Sequence, residues 1–147
     1  MGFRKRQLLG HTRPSWVDEH DPLFLTFCAQ PRGVNHFAHP EAWSVVLAEA
    51  RFQAEKARWR PRLVLAMPDH VHVIAEVPVS PGLDRVGWCF KRGISVRLSI
   101  PWQVGFFDHR IRNADSLDEK WKYVLMNPVR GGLVKTPSDW PYVYEVK

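Results

Sequence analysis

The sequence predicts an α+β fold in which helices cover one face of an antiparallel sheet. Two observations lead to this prediction. Short apolar segments rich in β-branched and aromatic residues alternate with longer segments whose apolar residues recur at helical spacing. Two of the short segments are also separated by only two residues, which indicates a tight hairpin. The resulting order, βαββαβ, is the split βαβ, ferredoxin-like (RRM-like) arrangement, and it leaves the second face of the sheet free.

The first strand and the first helix are predicted from a change of period. Residues 23–29, LFLTFCA, form a short apolar segment that ends before Pro31 and Gly33, as strands commonly do. A helix is predicted to begin at Pro40, because proline suits a first helical turn. Apolar side chains then recur at helical spacing, at Trp43, Val46, Leu47, Ala50 and Ala54.

The middle of the chain predicts a hairpin, a second helix and a last strand. Residues 62–67 and 70–77 are strand-like and should pair antiparallel across Pro68 and Asp69. A helix is predicted over residues 82–98, although Gly87 and Gly93 are unfavourable inside helices. A strand is predicted over residues 102–109, where Gly105 indicates a bulge or a close backbone approach.

The C-terminal part predicts one more helix. Ser116 as N-cap and Glu119 three residues later form a capping box. The helix should end near Met126, because Pro128 disfavours helical geometry at Asn127. Residues 133–147 are predicted to be an irregular tail, and residues 1–147 to form a single domain with a basic arm at 1–20.

Composition restricts the class of protein. The 147 residues are 45% hydrophobic and 24% charged, which describes one globular domain and excludes disordered, collagen-like and repeat proteins. The net charge is 21 − 15 = +6, and fourteen arginines outnumber seven lysines. Arginine binds phosphate through two parallel hydrogen bonds, so a polyanionic partner is predicted, with a merely solvated basic surface as the alternative.

The compartment is predicted from cysteines and apolar runs. Cys28 and Cys89 match no metal or redox spacing, so both are predicted to be reduced core residues. No apolar run approaches the roughly 18 residues of a membrane span, and the sequence MGFRKRQLLG lacks signal-peptide features. We therefore expect a cytoplasmic protein without membrane contact. The basic arm either touches phosphate or is a frayed terminus; its cations are Arg4, Lys5, Arg6 and Arg13.

Two histidines are the first candidates for chemistry. Because side chains alternate along a strand, His70 and His72 share one face, about 7 Å apart at the backbone, and the valines between and after them share the other. The pair predicts either metal ligands or ordinary polar surface residues. Glu76 shares their face but lies roughly 13 Å beyond His72, too far for an easy third ligand.

The last predicted helix offers a tyrosine. One face of this helix is an apolar stripe, and Lys120, Tyr123 and Asn127 lie away from that face. Tyr123 and Asn127 are one turn apart, which would suit a nucleophile beside a metal-binding amide oxygen. The alternative is a half-buried tyrosine without a catalytic role. The stripe consists of Leu117, Trp121, Val124 and Leu125.

Four segments resemble one known family. They are MPDHVHVI at 67–74, WQVGFFDHRIRN at 102–113, YVLMNPVRGGLV at 123–134 and DWPY at 139–142. They resemble the REP-associated tyrosine transposases of the single-tyrosine HUH superfamily, which cut single-stranded DNA. HUH denotes His-hydrophobic-His, which residues 70–72 satisfy, and the resemblance runs over about residues 23–142.

The resemblance implies a reaction and a substrate. Tyr123 would attack a single-stranded DNA phosphodiester, giving a 5′-phosphotyrosine and a free 3′-hydroxyl. His70, His72 and Asn127 would hold Mg²⁺ or Mn²⁺, and a strongly bound zinc ion would count against this reading. The substrate would be DNA hairpins of repetitive extragenic palindromes, with the protein nucleoid-associated when bound to DNA and either monomeric or homodimeric.

Other basic and aromatic residues are assigned from their positions, three arginines within these motifs and the rest on or beside the predicted helices and strands. The predicted DNA contacts are Arg110, Arg112, Arg130, Lys120, Lys91 and Arg92. Arg130 could instead cap the helix end. Trp88 and Trp102 could stack on bases, with core packing as the expected role of each. Asp108 and His109 could orient the histidines or make a structural hydrogen bond.

The alternative function is a non-catalytic binding module. A domesticated protein could bind single-stranded nucleic acid on an open RRM-like sheet without cutting it. The sequence lacks the Gly-Phe-Gly-Phe type of aromatic pattern that such a sheet uses, and it retains the two histidines and the tyrosine. Cleavage is therefore the favoured prediction.

Overall fold

The structure, a computed structural model, describes residues 21–146. It confirms the predicted α+β fold and adds one strand, giving a five-stranded antiparallel sheet in the order β4-β1-β3-β2-β5. The basic arm at 1–20 lies outside the described residues. The elements are β1 (Leu23–Cys28), α1 (Pro40–Glu55), β2 (Arg60–Ala66), β3 (His70–Glu76), α2 (Leu83–Leu98), β4 (Phe107–Arg110), α3 (Ala114–Leu125), the single turn α4 (Asn127–Arg130) and β5 (Val143–Glu145).

One face of the sheet packs against α1 and α2, as predicted. Val71, Val73 and Ala75 of β3 belong to this core together with Val46 of α1 and Phe90 of α2. All five side chains are buried, so their apolar surface is removed from water. The alternation of β3 therefore directs its histidines to the opposite face.

The two glycines of α2 allow close packing. A Cβ atom at Gly87 would overlap the ring of Phe106, and one at Gly93 would overlap the carboxyl group of Glu49 on α1. Gly93 thus lies where α1 and α2 approach each other, and Gly87 lies beneath a core aromatic ring. The cost in helix propensity is offset by packing that a larger residue would prevent.

Gly87→Ala is expected to lower the free energy of unfolding by about 1–3 kcal/mol, because the added methyl group must displace the Phe106 ring. Urea denaturation measures the change. Arg97→Ala, at an exposed position on the same helix, is the control and should stay within about 0.5 kcal/mol. An equally stable Gly87→Ala protein would contradict this packing.

The prediction that the other face is free is wrong. Phe24, Leu65 and Ile74 of the sheet form a second core with Val124 of α3 and with Trp140. The apolar stripe of α3 needs a partner, and this face of the sheet is itself largely apolar. Helix α3 and the C-terminal residues therefore form a second layer, and the histidines lie beneath it.

Two predicted boundaries are corrected. β4 begins at Phe107, because Trp102 makes only an isolated bridge to Ala29. Helix α3 begins at Ala114, because the side chain of Asn113 accepts the N–H of Ser116 and acts as the N-cap in place of Ser116.

The C-terminal residues are more regular than predicted. Pro137–Asp139 forms a short 3₁₀ helix, and β5 pairs with β2. Val143 and Tyr144 alternate between the two cores, and β5 satisfies backbone groups on the edge of β2.

Two further expectations concern the cysteines and membrane-spanning helices. Both cysteines are free thiols; Cys28 is buried, but Cys89 is only half-buried, so its assignment to the core is wrong. None of the helices within residues 21–146 combines the length and apolarity needed to cross a membrane.

Candidate active site

The two histidines lie side by side on β3. The centroids of the His70 and His72 rings are 4.7 Å apart. His72 is only 6% exposed, because α3 covers this face, and its ring stacks on Phe24 with 5.1 Å between centroids. The strand alternation thus brings the two imidazoles together at the edge of a buried layer.

One nitrogen of each ring is held by a neighbouring side chain. The Nδ1 atom of His72 lies 3.0 Å from the hydroxyl of Thr26, and Nδ1 of His70 lies 2.8 Å from the carboxylate of Asp69. With Nδ1–H donating to these oxygens, Nε2 carries the lone pair in each ring. Asn127 places its side-chain amide 2.5 Å from Nε2 of His72.

Burial disfavours the protonated form of both imidazoles, which lowers the pKa of each. Burial holds the pKa of His72 well below its usual value, and the nearby charges of His70, Lys120 and Arg130 act in the same direction. Burial also lowers the pKa of His70, although its hydrogen bond to Asp69 opposes this shift. Neutral imidazole is the form that binds metal ions.

Asp69 is an orienting residue that sequence reasoning missed. Burial favours its protonated form, but hydrogen bonds from Arg32, Gly33 and His70 outweigh burial and lower the pKa of the carboxyl group. The Nε atom of Arg32 and the backbone N–H of Gly33 each donate to Asp69 over 2.9 Å. A fixed, charged carboxylate therefore sets the orientation of the His70 ring.

The sequence pointed instead to Asp108 and His109. Both lie on β4, which is separated from β3 by β1. The Nδ1 contacts of the histidines are made by Asp69 and Thr26. Two signals were available in the sequence. Asp69 directly precedes His70, and Thr26 is a polar residue within the apolar strand β1.

The donor set fits a divalent cation that also binds phosphate. Among residues 21–146, no group of three or more His, Cys, Asp and Glu side chains could hold a metal ion. The available donors are instead the Nε2 atoms of His70 and His72 and the amide of Asn127, whose oxygen and nitrogen can exchange places by rotation. Two or three protein ligands leave positions for phosphate oxygens and water.

Tyr123 lies on α3 and contacts Phe24, the residue on which His72 stacks. Its side chain is 48% exposed, and its ring meets Phe24 edge-on with 6.4 Å between centroids. The guanidinium of Arg130 lies 4.2 Å and the ammonium of Lys120 lies 5.0 Å from the centroid of the tyrosine ring. Phe24 therefore connects an accessible tyrosine, flanked by two cations, to His72.

Arg130 also makes a contact at the end of α3, as expected from its alternative role of capping this helix. Its guanidinium donates to the backbone carbonyl of Tyr123 over 2.6 Å, near the C-terminal end of α3. This bond and the contact with the ring place one cation against both the backbone and the side chain of the same tyrosine.

A cleft of about 360 Å³, here called the Tyr123 cleft, gathers several predicted DNA contacts. The residues lining it include Arg110, Arg112, Lys120 and Tyr123. Lys91 and Arg92 lie elsewhere, on α2. The ammonium of Lys91 donates to the carbonyls of Gln103 and Gly105, and burial lowers its pKa to about 8.

The sheet carries the His-hydrophobic-His motif on its central strand, and the helix that packs on the same face carries Tyr123. No family model matches the chain. It is similar to the REP-associated tyrosine transposase of Escherichia coli (strain K12), at 31% identity over 81 residues. It is also similar to a putative REP-associated tyrosine transposase of Haemophilus influenzae, at 26% identity over 96 residues.

These relatives confirm the resemblance found in the motifs. The matched segments cover 53% and 54% of this chain, and the chain spans about half the length of each relative. A solved structure of a REP-associated tyrosine transposase bound to a REP hairpin superposes with a TM-score of 0.77 at 21% identity. It covers 92% of this chain and 82% of the other, and this similarity supports the fold.

Proposed function

We propose that this protein is a metal-dependent endonuclease and strand transferase for single-stranded DNA, with Tyr123 as nucleophile. The observation that carries the proposal is a connected series of ring contacts, from His70 to His72, from His72 to Phe24 and from Phe24 to Tyr123, which lines a cleft with two arginines. The names of the relatives favour hairpins of REP-like sequences as the substrate. Such a substrate implies a cytoplasmic, nucleoid-associated location.

The proposed reaction is a transesterification. The phenolic oxygen of Tyr123 attacks the phosphorus of a phosphodiester, and the bond from phosphorus to the 3′-oxygen breaks. The products are a 5′-phosphotyrosine and a free 3′-hydroxyl, with one proton passing overall from the phenol to the departing oxygen. Because the covalent link keeps a phosphodiester bond, a later rejoining needs no nucleotide cofactor.

The surrounding side chains have separate tasks. Lys120 and Arg130 place positive charge beside the tyrosine ring, where the reacting phosphate must lie. Arg110 and Arg112 would bind phosphates along the cleft. His70, His72 and Asn127 would hold Mg²⁺ or Mn²⁺, and the bound cation would polarise the scissile phosphate.

The binding-module alternative is disfavoured by the second layer. An RRM-like module needs an open sheet on which bases stack. Here the corresponding face is covered by α3 and Trp140, and Phe24 is only 5% exposed. The aromatic ring of this face contacts His72 and Tyr123, so it is not available to a base.

Strand cleavage tests the proposal directly. The purified protein is incubated with single-stranded hairpins labelled at the 5′ or 3′ end, with Mn²⁺ or with EDTA. We expect Mn²⁺-dependent cleavage in which the 5′-labelled fragment migrates freely and the 3′-labelled fragment stays with the protein. Tight binding without cleavage over several hairpins and metals would contradict the proposed activity.

Asp69→Ala is expected to weaken Mn²⁺ binding by about 10- to 100-fold, because the His70 ring loses the carboxylate that fixes it. Titration of Mn²⁺ followed by electron paramagnetic resonance measures the affinity without requiring cleavage. The control is Asp118→Ala, since this exposed carboxylate pairs with Lys122 one turn away on α3. Unchanged Mn²⁺ affinity in Asp69→Ala would contradict the orienting role.

A further inference from the structure

A second surface of the protein has the chemistry of a base-stacking site. Trp88 on α2 is 56% exposed, so the expectation that it packs in the core is wrong. Trp102, in contrast, has the packing role: it stacks on Phe37, and its indole N–H donates to the carbonyl of Lys91. Trp88 is therefore a large aromatic ring that the fold leaves in solvent.

Two arginines flank this exposed ring. Arg85 lies one turn before Trp88 on α2, and Arg92 lies one turn after it, so all three side chains are neighbours on the helix surface. Their guanidinium carbons lie 5.8 and 5.5 Å from the centroid of the indole ring. The ring is thus accompanied by two cations on an otherwise exposed helix face.

The ring opens onto a cleft of about 500 Å³ between α2 and the segment that leads into β4, here called the Trp88 cleft. Its wall includes Lys91 and Arg92 together with the exposed Val104. Asp84 is the acidic side chain among the residues that line it. Aromatic, apolar and cationic groups together suit a nucleotide, whose base stacks and whose phosphate is anionic.

The Trp88 cleft is connected to the Tyr123 cleft by the edge strand of the sheet. Phe106, directly before β4, lines the first cleft, and Arg110, the last residue of β4, lines the second. β4 has four residues and is the outer strand, so the two clefts border its two ends about 10 Å apart along the strand. The two clefts lie on opposite faces of the sheet, because α2 packs in the first core and α3 in the second, and β4 is the edge around which a nucleic acid strand would pass between them.

We propose that the Trp88 cleft binds a single-stranded DNA segment that flanks the cleaved hairpin, with a base stacked on Trp88 and phosphates near Arg85 and Arg92. The proposal extends the function proposed above, on which it rests for the identity of the DNA. Lys91 supports the cleft rather than the phosphate, because its ammonium is bound to the carbonyls of Gln103 and Gly105.

The test compares DNA with and without a single-stranded tail. The probes are a hairpin, the same hairpin with a dT₁₀ tail, and the oligonucleotide dT₂₀, with binding measured by fluorescence anisotropy. Trp88→Ala is expected to weaken binding of the tailed hairpin and of dT₂₀ by about 5- to 100-fold, and binding of the tailless hairpin by less than about twofold. Trp88→Phe should retain most of the affinity, since a ring remains.

Phe52→Ala is the matched control. Phe52 is also an exposed helical aromatic with a cation, Lys56, over its ring, but it lies on α1 away from both clefts. It should bind all three probes like the wild type. Arg92→Gln should weaken dT₂₀ binding and reduce its salt dependence, which provides a second variant that retains the tryptophan.

These experiments distinguish failure of the Trp88 proposal from failure of the proposed cleavage activity. Absence of Mn²⁺-dependent cleavage in the wild type concerns the Tyr123 site, whereas dT₂₀ binding is measured without any cleavage. The proposal is overturned if Trp88→Ala binds dT₂₀ like the wild type or loses affinity equally for the tailless hairpin. A change in oligomeric state with unchanged dT₂₀ binding would make the surface a self-interface and would overturn it as well.

Discussion

Tyr123→Phe is expected to reduce formation of the covalent protein–DNA adduct by at least about a thousandfold while hairpin binding stays within about twofold. The substitution removes only the oxygen that attacks phosphorus. The ring remains, and so do its edge-on contact with Phe24 and its contacts with Lys120 and Arg130. Denaturing gel electrophoresis measures the adduct, and anisotropy measures binding.

Tyr144→Phe is the matched control for this change. Tyr144 lies on β5 beneath the guanidinium of Arg51, so its hydroxyl is remote from the two histidines in the fold. This variant should form the adduct like the wild type. Persistent adduct in Tyr123→Phe would show that another group is the nucleophile.

His70→Ala is expected to remove Mn²⁺-dependent cleavage, by at least about a hundredfold, with little loss of stability. His70 is the first residue of β3 and lies at the border of the second core, so its removal leaves the buried side chains in place. Cleavage assays and Mn²⁺ titration measure the first effect, and thermal unfolding measures the second.

The control for this change is His36→Ala, whose ring contacts the backbone carbonyl of Pro31 rather than the site. It should retain cleavage and Mn²⁺ binding. A His70→Ala protein that fails to fold would favour a structural role for this histidine, and one that still cleaves DNA would remove it from the metal site.

The strands and their faces could be predicted because alternation is a local property. Val71 and Val73 are apolar and His70 and His72 are polar, so a single strand assignment places the two pairs on opposite faces. The helices followed from apolar residues at helical spacing. The sequence showed that Gly87 and Gly93 lie within a predicted helix, where glycine is unfavourable. Only their packing against Phe106 and Glu49 explains why glycine is present there.

The second layer could not be predicted from local patterns. The sequence indicated an apolar stripe on α3 but not which surface the stripe covers, since that depends on how the chain returns to the sheet. For the same reason β5 was read as an irregular tail: three residues form a strand here because the edge of β2 is available. Tertiary pairing decides such short elements.

The sequence motifs supplied the proposed ligands and nucleophile of the candidate site, but not its supporting residues. His70, His72, Tyr123 and Asn127 came from the motifs, and their roles stay predictions. Asp69 gains its role from Arg32, a residue 37 positions away that fixes its carboxylate. Contacts between residues distant in sequence leave no spacing pattern, so supporting residues are the part that sequence reasoning misses.

In the proposed reaction Tyr123 becomes covalently bonded to DNA. The most direct measurement is to incubate the protein with a single-stranded hairpin and Mn²⁺, digest protein and DNA, and locate the attached nucleotide by mass spectrometry. We expect a phosphodiester-linked nucleotide on the peptide that contains Tyr123, and its absence when EDTA replaces Mn²⁺. A nucleotide attached to Tyr142, Tyr144 or any other residue would contradict it.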